Sequence, residues 1–137
     1  MNAAWHSVLV GFPILLVHLT LTTGLLLAGL WLYLRFAHCR ELELLRQGNM
    51  AAAIAFGGQM LALAIPLCAM MANSVNVPDI LLWGCITVIL QFVAIFCMRR
   101  VVPDIRQRVI SGETAPAVLY ACGQVVTGLL TAAALAG

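Results

Sequence analysis

The feature that most constrains the fold is a long apolar stretch near the start of the chain. From Ser7 to Leu34 the sequence contains no Asp, Glu, Lys or Arg, and this stretch exceeds the ~20 residues that cross a ~30 Å hydrocarbon core as a helix. It is therefore expected to tilt, or to bend at Pro13. Three further apolar stretches occupy residues 50–72, 78–98 and 115–137. The sequence predicts an all-α membrane protein with four transmembrane helices.

The composition agrees with an integral membrane protein. Charged residues make up 9% of the chain, whereas about a quarter of the residues in soluble domains are charged. The bilayer is the expected partner, and a net charge of +2 without a basic stripe excludes nucleic acid. The five cysteines stand alone, without the close pairs of a zinc or redox site, and are expected to be inert. No metal or cofactor is expected.

The basic residues predict an orientation in the membrane. All seven lie in the first and third loops: Arg35, Arg40, Arg46, Arg99, Arg100, Arg106 and Arg108. By the positive-inside rule both loops are cytoplasmic and both termini are periplasmic in a bacterial inner membrane.

Apolar residues in the first arginine loop are spaced for one side of a short interfacial helix, and two in the second arginine loop are four residues apart. Leu42 and Leu45 in the first loop, and Ile105 and Val109 in the second, are expected to rest on the membrane surface. Ser111 or Thr114 is expected to cap the last span.

A turn recurs before the second and fourth spans. Gly48 and Asn49 precede one, and Gly112 and Glu113 precede the other, at an offset of 64 residues (112 minus 48). Each unit contains two spans, so both units start on the same side of the membrane and form parallel repeats. The chain is predicted to be a single domain, 1–137, built from two parallel-repeat helical hairpins, about 7–72 and 78–137.

Several motifs resemble those of a known family. The most specific are Gly48-Asn49-Met50-Ala51-Ala52-Ala53-Ile54, Ala64-Ile65-Pro66-Leu67, Leu82-Trp83-Gly84 and Gln91. They are similar to the bacterial inner-membrane family called Domain of Unknown Function 350 (DUF350), and the resemblance covers nearly the whole chain from about Leu30. It implies a multi-pass membrane protein. Some members occur beside genes of the phage-shock and membrane-stress type, so the resemblance also implies a link to envelope maintenance.

No catalytic constellation is recognisable in the sequence. There is no Ser, His and Asp set, no HExxH and no phosphate-cradling loop, and none of the five acidic residues lies in the interior of a span. General acid–base chemistry needs partners within hydrogen-bond reach, and these acids are expected at the surface. The sequence predicts that the protein is not an enzyme.

Uncharged polar residues form the most informative set within the spans. At ~1.5 Å of rise per residue, Gln59, Gln91 and Gln124 lie roughly 10–13 Å from the cytoplasmic ends of their spans, and Thr22 and Thr23 lie within about a turn of that depth. Unpaired amides in hydrocarbon cost several kcal/mol. One interpretation is interhelical hydrogen bonds worth ~0.6–2 kcal/mol each. The alternative is a polar lining for ions or small solutes, completed by oligomerisation.

His18 is the ionisable side chain placed well inside the first span. An ionisable group at membrane depth is a candidate for a proton relay or a gate. The alternative is a packing histidine whose ring hydrogen-bonds to a carbonyl.

Small residues predict close contact between the second and fourth spans. Gly57, Gly58, Gly123 and Gly128 lie among alanines on these spans, and small faces allow backbones to approach closely. The two helices are expected to cross each other, or their counterparts in a neighbouring subunit.

Together these features favour a non-enzymatic inner-membrane protein that forms a homo-oligomer, or that assembles with a cytoplasmic or envelope-stress protein. The alternative is a small oligomeric ion channel or transporter that uses the glutamine layer.

Overall fold

The computed structural model describes residues 2–37 and 40–137, and the side chains of residues 5–36 and 40–137. Six helices and no strand are found in this part of the chain: α1 (Asn2–Ala37), α2 (Glu41–Arg46), α3 (Met50–Asn73), α4 (Val77–Val101), α5 (Ile105–Ile110) and α6 (Thr114–Ala136). Four of them, α1, α3, α4 and α6, are long and apolar enough to cross a membrane. The predicted all-α fold with four transmembrane helices is confirmed.

Helices α3 and α6 form the centre of the bundle. Gly58 meets Ala121, and further along both helices Gly128 meets Ala62, so the two helices run in the same direction. Helix α4 packs on both of them, and α1 packs on α3 and α4. The predicted close crossing of the second and fourth spans occurs within one protomer.

The two turns that precede α3 and α6 have the same local geometry. Gly48 and Gly112 adopt positive φ angles of 78° and 83°, which glycine tolerates because it has no Cβ. The Gly48 amide donates to the Leu45 carbonyl, and the Gly112 amide donates to the Val109 carbonyl. The offset between these bonds is the same 64 residues, so the turns are equivalent. The packing of the two hairpins as parallel repeats stays a prediction.

The residues that follow these glycines differ. Asn49 caps α3 by accepting a 3.0 Å hydrogen bond from the Ala52 amide. Its side-chain amide also donates to the carbonyls of Val109 (3.1 Å) and Ile110 (3.3 Å) at the end of α5. Glu113 makes no side-chain cap and instead accepts a 2.8 Å hydrogen bond from the Arg108 Nε. The Asn49 side chain therefore links the first hairpin to the second, whereas the Glu113 side chain bonds within its own segment.

The short helix α2 occurs where the sequence predicts one, but the predicted position of Ile105 and Val109 on the membrane surface is wrong. Both are buried in an apolar cluster with residues of α3 and α6 such as Ala52 and Ala117, because α5 packs against the first turns of those helices. The predicted capping by Ser111 or Thr114 is also wrong. The Ser111 hydroxyl donates to the Arg108 carbonyl within the end of α5.

The N-terminal half of α1 extends beyond the other helices. The 36 residues of α1 span about 54 Å at ~1.5 Å of rise each, and α1 is helical through Pro13. Among the described side chains, its first apolar contact with the bundle core is made by Leu21, in a cluster with Met70 and Ile80 near the ends of α3 and α4 that lie away from the arginines. Residues 5–17 are exposed throughout.

Candidate functional site

Three glutamines and a threonine are buried in the core between α3, α4 and α6. Gln59, Gln91 and Gln124 are at most 1% exposed, and Thr87 is fully buried one turn from Gln91 on α4. Each residue lies on the stripe of its helix that faces the bundle interior, as Gln91 does with Gly84, Thr87 and Ile95. We refer to these four residues as the amide layer.

No polar side-chain atom of the amide layer has a hydrogen-bond partner among the described residues. The interhelical hydrogen bonds expected between the glutamines are therefore not formed. The layer lies inside one protomer, so its side chains do not reach a surface where neighbouring subunits would share a central path.

The first helix contributes less to this layer than the sequence suggests. Thr22 is buried, and its hydroxyl donates a 2.8 Å hydrogen bond to the His18 carbonyl on the same helix. Thr23 is exposed, because it lies on the opposite side of α1 from the bundle, and its predicted place in an inward-facing layer is wrong. His18 is half-buried, and no described residue hydrogen-bonds to its imidazole.

The four glycines predicted to allow helix packing differ in their surroundings. A Cβ added to Gly58 would lie 2.7 Å from the Ala121 Cα, one added to Gly123 would lie 2.8 Å from the Met98 Sδ, and one added to Gly128 would lie 2.6 Å from the Ala62 carbonyl oxygen. Gly58 and Gly128 face backbone atoms and are needed for the close approach of α3 and α6, whereas Gly123 faces only the flexible end of the Met98 side chain. A Cβ on Gly57 would meet nothing within 4 Å, so its predicted packing role is wrong, because it is turned away from α6.

A second polar cluster lies at the end of the bundle that carries the arginines. Glu41, the first residue of α2, is only 6% exposed, and Tyr33 of α1 is 2% exposed. The Tyr33 hydroxyl donates a 2.9 Å hydrogen bond to the Glu41 Oε1. The expectation that every acidic residue lies at the surface is wrong for Glu41, because α2 packs against α3 and brings its first residue to the Tyr33 hydroxyl.

Two polar atoms of this cluster lack a partner among the described residues. They are the Glu41 Oε2 and the Tyr120 hydroxyl, and both are buried. Tyr33 and Arg99 approach the Tyr120 hydroxyl without completing a hydrogen bond to it. The cluster borders a cavity of about 30 Å³, enough for one water-sized group. The cavity is lined by Tyr33, Glu41, Ala55, Arg99, Ile105, Arg106, Val109 and Tyr120.

The sequence gives no signal that separates Glu41 from Glu43. Both lie in the same arginine loop, two residues apart. Glu43 is exposed and forms a 3.3 Å surface ion pair with Arg40, whereas Glu41 is buried by residues from α1, α4, α5 and α6. Only the three-dimensional packing distinguishes them.

Burial raises the pKa of the Glu41 carboxyl above its ordinary value, although the Tyr33 hydroxyl and the nearby Arg99 act in the opposite direction. Because the folded state holds the proton more tightly than the unfolded state, this group stabilises the fold below the ordinary pKa, and that stability falls as the pH rises through the raised pKa. We expect the thermal unfolding temperature in detergent to fall over this pH range in wild type. Glu41→Gln removes the fall, and the exposed Glu43→Gln control retains it. An unchanged profile in Glu41→Gln contradicts the assignment.

Within the described ranges, no group of three His, Cys, Asp or Glu side chains is placed to hold a metal ion. Cys68, Cys85, Cys97 and Cys122 are free thiols exposed on the outer faces of their helices, and Cys39 lies outside the described residues.

Comparison with known proteins identifies the family. The family model described as Domain of Unknown Function (DUF350) matches residues 7–135. The chain belongs to this family. Two relatives are the UPF0719 inner membrane proteins YjfL of Escherichia coli strain K12 and of Escherichia coli O157:H7. Each is 28% identical over 106 residues, which cover 77% of this chain and 80% of the relative. No solved structure matches.

Membership of DUF350 agrees with the four apolar helices, and the chain is a multi-pass membrane protein. The family match extends over both hairpins, so it includes the amide layer and the cluster around Glu41. The name of the family assigns no activity.

Proposed function

We propose that this DUF350 member is a non-enzymatic protein of the bacterial inner membrane. It assembles with copies of itself through the N-terminal half of α1, which contains the exposed residues 5–17. The observation that carries this proposal is the exposure of that segment. Trp5, Leu9 and Phe12 are 66%, 71% and 56% exposed, and apolar residues are found on every side of the helix. A helix that is apolar on all sides is normally buried in protein or in lipid.

The length of the bundle supports coverage of this segment by protein in addition to lipid. From Ile80 to Met98, α4 extends about 27 Å at ~1.5 Å per residue, which already matches a ~30 Å hydrocarbon core. From Leu21 to Trp5, α1 continues for about another 24 Å by the same rise. Copies of α1 packed against one another would remove this apolar surface from water, at roughly 25 cal/mol per Å².

The proposed orientation rests on the arginines. The described arginines lie at the C-terminal ends of α1 and α4 and in the segments that contain α2 and α5. All of these segments are at one end of the bundle. By the positive-inside rule this end is cytoplasmic, and both termini are periplasmic. The self-association surface of α1 would then lie on the periplasmic side.

Cysteine cross-linking tests the assembly. In a variant whose native cysteines are replaced by serine, Leu9→Cys is expected to form covalent dimers in membranes, because copies of α1 lie side by side. Leu130→Cys on α6 is the matched control, since Leu130 is 66% exposed and Leu9 is 71% exposed. Equal cross-linking at both positions, or none at Leu9→Cys, contradicts the assembly through α1.

The proposed role in envelope maintenance is supported by the family resemblance. In this role, the assembled protein would bind a partner protein of the envelope-stress type. A strain carrying a variant that assembles poorly, such as Leu9→Arg, is expected to grow less well under detergent stress than wild type. Wild-type growth of that strain, with the loss of assembly verified, argues against this role.

A second candidate function, a small channel or transporter, is favoured by one observation. The amide layer presents several unpaired polar groups at the same membrane depth, as a hydrated path would require. Because the layer is enclosed by α3, α4 and α6, such a path would pass within each protomer. Proteoliposome flux measurements test it, and they are combined below with substitutions in the layer.

A further inference from the structure

The cavity beside Glu41 is lined by residues that carry unpaired polar atoms. The Glu41 Oε2 is a buried acceptor without a hydrogen bond, and the Tyr120 hydroxyl beside it is also unpaired. A buried carboxylate oxygen without a donor is costly. A positively charged donor in the cavity would supply the missing bond.

The size of the cavity restricts that donor. Its volume is about 30 Å³, which suits a small group, since a water molecule needs roughly 10–15 Å³ by the same measure. A primary ammonium group is of this size and offers three N–H donors. A trimethylammonium group is several times larger and has no N–H.

Two arginines and an apolar groove adjoin the cavity. Arg99 and Arg106 line it, and guanidinium groups bind phosphate strongly. A groove of about 180 Å³ shares Tyr33 and Arg99 with the cavity, and its other lining residues are Phe36, Phe92, Ile95 and Phe96. From Arg99 to Phe92 the groove descends about 10 Å towards the membrane centre at ~1.5 Å per residue.

We infer that the cavity and groove bind a phospholipid with a primary-amine headgroup, of the phosphatidylethanolamine type. The ammonium occupies the cavity and donates to the Glu41 Oε2. The phosphate lies at the cavity mouth beside Arg99 and Arg106, and one acyl chain lies in the groove. The order of the groups in the lipid, amine, phosphate and acyl chain, matches their order in the site.

A methylation series tests this site in the wild-type protein. Native mass spectrometry would measure the retention of phosphatidylethanolamine, its N-monomethyl and N,N-dimethyl forms, and phosphatidylcholine, all with identical acyl chains and in equimolar mixture. Retention is expected to fall with each methyl group, to about tenfold less for phosphatidylcholine, as the loss of a charge-assisted hydrogen bond predicts. Equal retention across the series overturns the inference. Stronger retention of phosphatidylglycerol than of phosphatidylethanolamine also overturns it.

A pair of variants tests the role of the carboxylate. Glu41→Gln keeps an oxygen for the Tyr33 hydroxyl to donate to, but it replaces the acceptor charge, so the preference for phosphatidylethanolamine over phosphatidylcholine is expected to disappear. Glu43→Gln removes the same charge two residues away at an exposed site and is expected to keep the preference. Retention of the preference in Glu41→Gln overturns the inference. The methylation series decides the question if this variant does not fold.

Soluble phosphoethanolamine distinguishes a lipid from a free metabolite. Because the groove contributes to binding, millimolar phosphoethanolamine is expected to leave bound phosphatidylethanolamine in place. Displacement of the lipid at that concentration would assign the cavity to a soluble phosphoamine and overturn the lipid assignment.

Discussion

Substituting Gly58 with alanine is expected to destabilise the bundle by roughly 1–3 kcal/mol, near the upper end of that range for an overpacked core. The added Cβ would lie 2.7 Å from the Ala121 Cα, and that backbone atom belongs to a packed helix that cannot move independently. The expected result is a lower unfolding midpoint in mixed SDS micelles, with the helical content of the folded state retained.

Gly57→Ala is the matched control for this prediction. It makes the same chemical change one residue earlier, where a Cβ meets nothing within 4 Å. Alanine favours helix over glycine by about 1 kcal/mol, so Gly57→Ala is expected to be neutral or stabilising. If the two variants unfold alike, the close contact between α3 and α6 is not a determinant of stability.

Substitutions in the amide layer are expected to stabilise the protein. Gln59→Met and Gln124→Met keep the length of the side chain and remove a buried amide whose nitrogen and oxygen both lack partners. Removing a buried unsatisfied polar group recovers about 1–3 kcal/mol. Gln107→Met on the exposed face of α5 is the control and is expected to change the unfolding free energy by less than ~0.5 kcal/mol.

The same variants separate the two proposed functions. Loss of stability in Gln59→Met and Gln124→Met would show that the amides bond across helices after all. If wild-type proteoliposomes conduct ions or small solutes and the folded variants do not, the amide layer is a permeation path. Stabilised variants, together with wild-type proteoliposomes that show no flux, leave self-assembly as the function that the structure supports.

The apolar pattern predicts the spans closely because it reflects the bilayer directly. The second span, predicted at 50–72, is Met50–Asn73, and the fourth, predicted at 115–137, is Thr114–Ala136. The first helix is longer than its apolar stretch, since its hydrogen bonding continues beyond Leu34 to Ala37. A helix continues as far as its backbone hydrogen bonds do, whereas the apolar pattern indicates only where the side chains are hydrophobic.

The candidate sites are less predictable because they depend on the rotation of each helix about its axis. The sequence places the three glutamines at one depth, and the structure places them in the interior. Whether their amides meet depends on side-chain directions that the spacing does not define. Burial of Glu41 is less predictable still, because it arises when residues far apart in sequence, Tyr33 and Tyr120 among them, surround the first residue of a six-residue helix.

The side chain of Asn49 has a consequence for the order of folding. It caps α3, but its donors bond to the carbonyls of Val109 and Ile110, which are synthesised 60 and 61 residues later than Asn49. During synthesis, the first hairpin therefore emerges with a cap whose hydrogen bonding is incomplete. It acquires its full set of bonds only when α5 reaches the same side of the membrane. The two halves of the chain thus complete their folding together, at the end where their turns meet.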